Sequence, residues 1–150
     1  MVEALVAPVR VGSAGQGFWL TTAERRAVET QAMQLAKVWL ESNGYSVKDV
    51  SARTCFDFEA SKNGQTIKVE VKGTTNESGD AVLMTRNEVD LHKSQKGQTA
   101  LFVVSHIQLR NREAKPIAHG GQVQVELGWD IDAWEATPIA YRLKRPPLSV

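Results

Sequence analysis

The chain is poor in the features that mark secreted and membrane-bound proteins. Its one cysteine, Cys55, excludes an internal disulfide, and no Cys/His spacing resembles a zinc site. No apolar run approaches the roughly 20 residues that a bilayer demands, and Met1 to Gly17 lacks the apolar stretch of a signal peptide. No membrane partner is expected, and a reducing cytoplasm is the expected location. Charge of one sign is missing too: 18 Lys and Arg against 17 Asp and Glu leave +1, so any anionic partner must be met by a local patch. A hydrophobic share of 42% nevertheless excludes wholesale disorder, and 150 residues suit one domain. Gly-Ser-Ala-Gly-Gln-Gly at 12–17 lacks the Gly-Lys-Ser or Gly-Lys-Thr ending of a phosphate loop. Residues 1–17 therefore read as a flexible lead-in, 18–144 as the domain, and 145–150 as a frayed tail.

What is present is a set of capped helices and alternating strands. Thr21-Thr22-Ala23-Glu24 is a capping box opening a helix over Thr22–Asn43, with Val28, Ala32, Leu35, Ala36, Trp39 and Leu40 as its apolar stripe. Asn43-Gly44 ends it. Strands are expected over Tyr45–Ala52, Thr54–Ser61 and Gln65–Thr74, the last two joined by an Asn63-Gly64 hairpin turn. Ala81–Met84 reads as a further strand, and Thr85-Arg86-Asn87-Glu88 as a second capping box whose helix runs to about Lys96. Leu101–Leu109 is a strand whose Leu101 to Val104 are apolar enough for burial on both faces. A loop over 110–121 contains Pro116 and Gly120-Gly121; Gln122–Leu127 and Ile139–Leu143 complete the strands. The expected class is α/β or α+β, a central mixed sheet flanked by helices with an extra C-terminal β segment.

The hairpin register brings chemistry into view. A two-residue Asn63-Gly64 loop pairs Ala60 with Ile67, Phe58 with Val69 and Phe56 with Val71 on an apolar face. The other face pairs Glu59 with Lys68, Asp57 with Glu70 and Cys55 with Lys72. Asp57 and Glu70 fall in a non-hydrogen-bonded pair, with Cα atoms about 4.5 Å apart. Opposed carboxylates repel, so the pair demands protonation, solvent or a cation. Mg²⁺ takes one or two carboxylates and completes its shell with water and phosphate. Lys72 is then placed to hold or deprotonate a water. A solvated sheet face remains the plainer alternative. Glu29 falls about 55° from the centre of the helical stripe, which makes it either a snorkelling side chain or a third acid. Arg86, Lys62, Lys93 and Lys96 are candidates to meet phosphates, with a solvated face as the alternative. Asp130 and Asp132 read as turn formers, His92, His106 and His119 as surface or loop residues, and Trp129 and Trp134 as core rather than base-stacking platforms.

Asp57, a twelve-residue gap, then Glu70-Val71-Lys72 behind a Glu-bearing helix resembles the PD-(D/E)XK nuclease superfamily. More narrowly, residues 29–109 resemble the NO VEIN C-terminal domain family. The matching stretches are Glu29-x-x-Ala32 with a Gly44-Tyr45 helix exit, Phe56-Asp57-Phe58, Val69-Glu70-Val71-Lys72-Gly73-Thr74 and Thr85-Arg86-Asn87-Glu88. The superfamily resemblance implies a restriction-endonuclease-like core and cleavage of DNA with Mg²⁺ or Mn²⁺. It implies Asp57, Glu70 and Val71 as metal ligands, Lys72 as the residue that positions the water, and Glu29 as an accessory acid. Phe56 stands where the superfamily's name has Pro. A bacterial defence or mobile-element setting is what such a resemblance suggests. Size and charge add an expected homodimer or a partner protein that supplies target recognition. A silent module binding nucleic acid or protein is the alternative, and the intact Asp57, Glu70 and Lys72 favour the enzyme.

Overall fold

The capping box at Thr21 opens a 21-residue helix, α1 (Thr22–Ser42), in the computed structural model, which describes residues 20–147. The expected lead-in at 1–17 and the last three residues of the expected tail lie outside the described residues. The Thr21 hydroxyl accepts the Glu24 N–H at 3.2 Å, and the Glu24 carboxylate accepts the Thr21 N–H at 2.7 Å. Glu24 does more than cap. It is buried, and the Arg112 guanidinium, ahead of the Thr21 N–H, holds its carboxyl below the ordinary value.

Five strands follow in one sheet: β1 (Ser46–Asp49), β2 (Phe58–Lys62), β3 (Gln65–Gly73), β4 (Thr99–Arg110) and β5 (Ile117–Leu127), ordered β1-β2-β3-β4-β5. All neighbours are antiparallel except β3 and β4. Parallel neighbours need a crossover, which here carries the second helix, α2 (Arg86–Ser94). The sheet is therefore mixed and the class α+β, as expected. No described helix is long and apolar enough to cross a membrane.

The two faces of the sheet take different cargo because side chains alternate along each strand. On one face, Phe58, Ala60, Val69, Ala100 and Phe102 pack against Ala36 and Leu40 of α1, with Trp39 edge-on to Phe102. On the other, Leu101 and Val103 meet Val89 of α2, Trp129, and also Ile131 of a short 3-10 turn, η1 (Ile131–Ala133). Residues Leu101 to Val104 are accordingly buried on both faces.

Three sequence readings are corrected. Ala81–Met84 is not a strand: Val82 and Met84 do turn inward, but onto Leu101 and Val103, crossing the sheet face where no backbone ladder is open. The 110–121 loop is shorter than expected, because β5 begins at Ile117 and its Gly120-Gly121 lies inside the β4–β5 ladder, with left-handed backbone that also appears in His106 opposite. Ile139–Leu143 makes no strand, and Tyr141 and Leu143 are 81% and 93% exposed.

Gly73 sets how closely α1 approaches β3. A Cβ there would stand 2.8 Å from the Ala32 Cβ and 3.2 Å from the Val28 carbonyl oxygen, which is helix backbone and cannot swing aside. Gly73→Ala should therefore lower stability by about 1–3 kcal/mol in urea unfolding. A variant as stable as the wild type would contradict this packing.

Candidate active site

The hairpin follows the expected register from Lys62↔Gln65 to Phe58↔Val69 and stops there. Asp57 does not sit directly opposite Glu70 as the turn predicts. Its N–H bonds the Val69 carbonyl at 2.9 Å, a slip of one residue, and its Oδ2 accepts the Val71 N–H at 2.8 Å. The register would have given that N–H to the Phe56 carbonyl, which the Thr54 hydroxyl takes instead at 2.7 Å. A carboxylate thus replaces a backbone acceptor where β2 leaves β3. The pairings expected for Phe56 and Cys55 are absent from the ladder, and Cys55 is exposed.

Alternation along β3 sends Val69 and Val71 toward α1 and Glu70 and Lys72 toward α2. Glu70 is 4% exposed. The Lys72 Nζ lies 2.8 Å from Glu70 Oε1 and 2.9 Å from Glu88 Oε2. Glu70 Oε2 is buried and has no hydrogen-bond partner among the described residues. Burial pushes the Glu70 carboxyl up to about 8, against the pull of Lys72 and with the push of the Asp57 and Glu88 charges. Burial also raises Asp57, opposed by the Val71 N–H and by Lys72. For Lys72, burial works downward, but the Glu70 and Glu88 carboxylates more than reverse it, so the ammonium persists above the ordinary lysine value. An ammonium has no lone pair; in this state Lys72 orients a water or phosphate and does not deprotonate it.

The donor set suits a hard dication. Asp57 and Glu70 lie near enough for the Asp57 charge to raise Glu70, and one buried oxygen lacks a partner among the described residues, which matches the sparse protein ligation of Mg²⁺. No three His, Cys, Asp or Glu side chains among the described residues are gathered as a metal cage, so a fuller shell would come from water and substrate. Val71 has only its backbone carbonyl to offer.

The structure does not bring Glu29 to this cluster. It is exposed, one position past buried Val28, on the helix that packs against the opposite face of the sheet. The buried stripe of α1 steps through Val28, Ala32, Ala36 and Leu40, and Glu29 lies outside it. Lys62 is not brought there either: it lies by the turn, five residues along β2 from Asp57, or about 16 Å, and bonds the Asn43 carbonyl. Lys93 and Lys96 face Asp132, and Lys96 also bonds Asp130 at 3.1 Å, so acids already occupy both amines. Asp130 caps η1, as turn formation predicts. Arg86, 92% exposed in the first turn of α2 and 3.7 Å from Asp90, is the member of that group closest in sequence to Glu88.

Two residues escaped the sequence reading. Glu88 was visible only as a capping residue; its Oε2 accepts the Thr85 N–H at 2.9 Å and the Lys72 ammonium as well. His92, one turn later on α2, is fully buried rather than a surface residue. Its Nδ1 accepts the Trp129 N–H at 2.9 Å, which places the proton of the neutral ring on Nε2, buried without a partner among the described residues. Burial lowers its pKa, with Lys72 acting the same way and Glu88 opposing. Trp129 is core, tilted on His92 and edge-on to Trp134.

The family model for the C-terminal part of protein NO VEIN matches residues 23–119, most of the chain's length. The chain belongs to the NO VEIN C-terminal family. No curated protein and no solved structure matches it. The NO VEIN C-terminal match spans Asp57, Glu70, Lys72 and Glu88, whereas Trp129 and η1 lie beyond it.

The raised carboxyls give a pH dependence with a defined sign. Between 4.5 and about 8 the metal-free fold holds protons that the unfolded chain has released, so stability falls as pH rises through that window. Each such group contributes at most about 1.4 kcal/mol per pH unit. His92 acts in the opposite sense: below 6.5 the unfolded chain takes up a proton that the buried imidazole refuses. Urea unfolding in chelator at pH 5–8 should show a shallower fall for Glu70→Gln than for the wild type. Identical slopes would contradict a Glu70 carboxyl raised by burial.

Proposed function

We propose that this domain is a Mg²⁺- or Mn²⁺-dependent DNA endonuclease of PD-(D/E)XK type, with Asp57, Glu70 and Lys72 as its centre. The observation that carries the reading is the buried Glu70 carboxyl beside Asp57, with one oxygen unpartnered among the described residues. An apolar or neutral pair would serve a purely structural strand better, since burying two like-charged carboxyls against a single ammonium destabilises the fold.

In this reading Asp57 and Glu70, with the Val71 carbonyl, hold the cation. When bound, the ion lowers the pKa of a ligand water and neutralises charge on the phosphate. Asp57 is fixed for this by the Val71 N–H, which takes one of its oxygens and leaves the other without a hydrogen bond among the described residues. Lys72 donates to the attacking water or a phosphate oxygen and holds it in line. Glu29 is left out of the mechanism. The net charge of +1, and the acids facing Lys93 and Lys96, leave a small electrostatic footprint for duplex DNA. That supports a second copy or a partner protein as the source of target recognition.

Plasmid and branched DNA incubated with Mg²⁺, Mn²⁺ or chelator provide the test. Cleavage should require metal, disappear in Asp57→Asn and Glu70→Gln, and fall by about two to four orders of magnitude in Lys72→Ala. Glu29→Gln should cleave like the wild type. Cleavage that survives in chelator or in Asp57→Asn would overturn the proposal.

A further inference from the structure

Glu88 is bound twice over by geometry. Its Oε2 accepts the Thr85 backbone N–H at 2.9 Å, while the Thr85 hydroxyl accepts the Glu88 N–H at 3.3 Å, so the N-terminal turn of α2 fixes where the carboxylate lies. The same oxygen lies 2.9 Å from the Lys72 Nζ, which stands 2.8 Å from Glu70 on its other side. Lys72 is therefore shared between a carboxylate with an unpartnered buried oxygen and one committed to a helix cap. Nothing in a capping box requires a lysine from a neighbouring strand.

We propose that Glu88 is the positioning residue of the site: it shares the Lys72 ammonium with Glu70 Oε1, which holds that ammonium off Glu70 Oε2, leaves this oxygen for a divalent cation and aims Lys72 at the substrate. This rests on the functional reading above. Without the Glu88 charge, the ammonium already on Glu70 Oε1 would be free to bridge both Glu70 oxygens and compete with the cation, as one positive charge displaces another at a shared ligand. Because the carboxylate is anchored on the first turn of α2, the setting of that helix also sets where Lys72 can reach.

Two substitutions separate this role from helix capping. Gln at the third helical position still caps, so Glu88→Gln keeps the box and removes the charge. Thr85→Ala removes the hydroxyl but keeps the backbone N–H that holds Glu88 Oε2. With Mn²⁺ as the probe in calorimetry on the full chain, Glu88→Gln should weaken binding about ten- to a hundredfold. It should lower kcat by a similar factor with KM unchanged, at nearly wild-type thermal stability in chelator. Thr85→Ala should do the reverse, losing a few degrees of midpoint while keeping Mn²⁺ affinity and kcat. If both variants lose activity in step with stability, or if Glu88→Gln binds Mn²⁺ like the wild type, the inference is overturned while the functional reading stands. A wild type that binds no Mn²⁺ overturns both.

Discussion

Glu70 is an acid held in an apolar layer with too little positive charge around it. It alternates with Val69 and Val71 on β3, so it cannot turn outward without moving those valines off α1. Lys72, two residues on, is shared with Glu88 and gives Glu70 one contact. Asp57 adds like charge from the edge where β2 departs. The stability of that strand pair and the chemistry available at it both follow from this imbalance, which protonation or a cation can relieve.

The surrounding fold is arranged to keep the imbalance in place. β3 and β4 run parallel at the centre of the sheet, and α1 closes on them at Gly73, where no side chain intervenes. α2 is held on the other face from two directions. Lys72 takes hold of its first turn through Glu88, and Trp129 bonds His92 one turn further on. Lys96, just past its end, meets Asp130 and Asp132. The contacts through Trp129, Asp130 and Asp132 come from beyond the family match, so the segment after β5 steadies the helix that carries Glu88.

Much of this was legible in the residues. The Asn63-Gly64 turn and clean alternation gave the hairpin register, and both capping boxes opened helices where they stood. The slip at Asp57 was not legible, because it depends on a side chain replacing a backbone acceptor and on Thr54 taking the displaced carbonyl. Glu88 was hidden by its own explanation: a capping role accounts fully for a glutamate at that position until α2 is known to lie over Lys72. Glu29 failed for the opposite reason. A helical wheel measures angle from a stripe, but it does not say which sheet face the stripe will cover. Ala81–Met84 shows the same limit, since alternation reports which side chains turn inward and not whether a ladder is open to receive the backbone.

In the proposed site metal binding would be coupled to proton release, and counting those protons is the most direct test of that proposal. A carboxyl held at about 8 is largely protonated at pH 7, and a cation can bind it only by displacing that proton. Calorimetric titration of the protein with Mn²⁺ at pH 7, repeated in buffers of different ionisation enthalpy, counts the protons released. The proposed site should bind Mn²⁺ with about one proton released per ion, and Glu70→Gln should lose that release. Binding without proton release, or no binding at all, would contradict it.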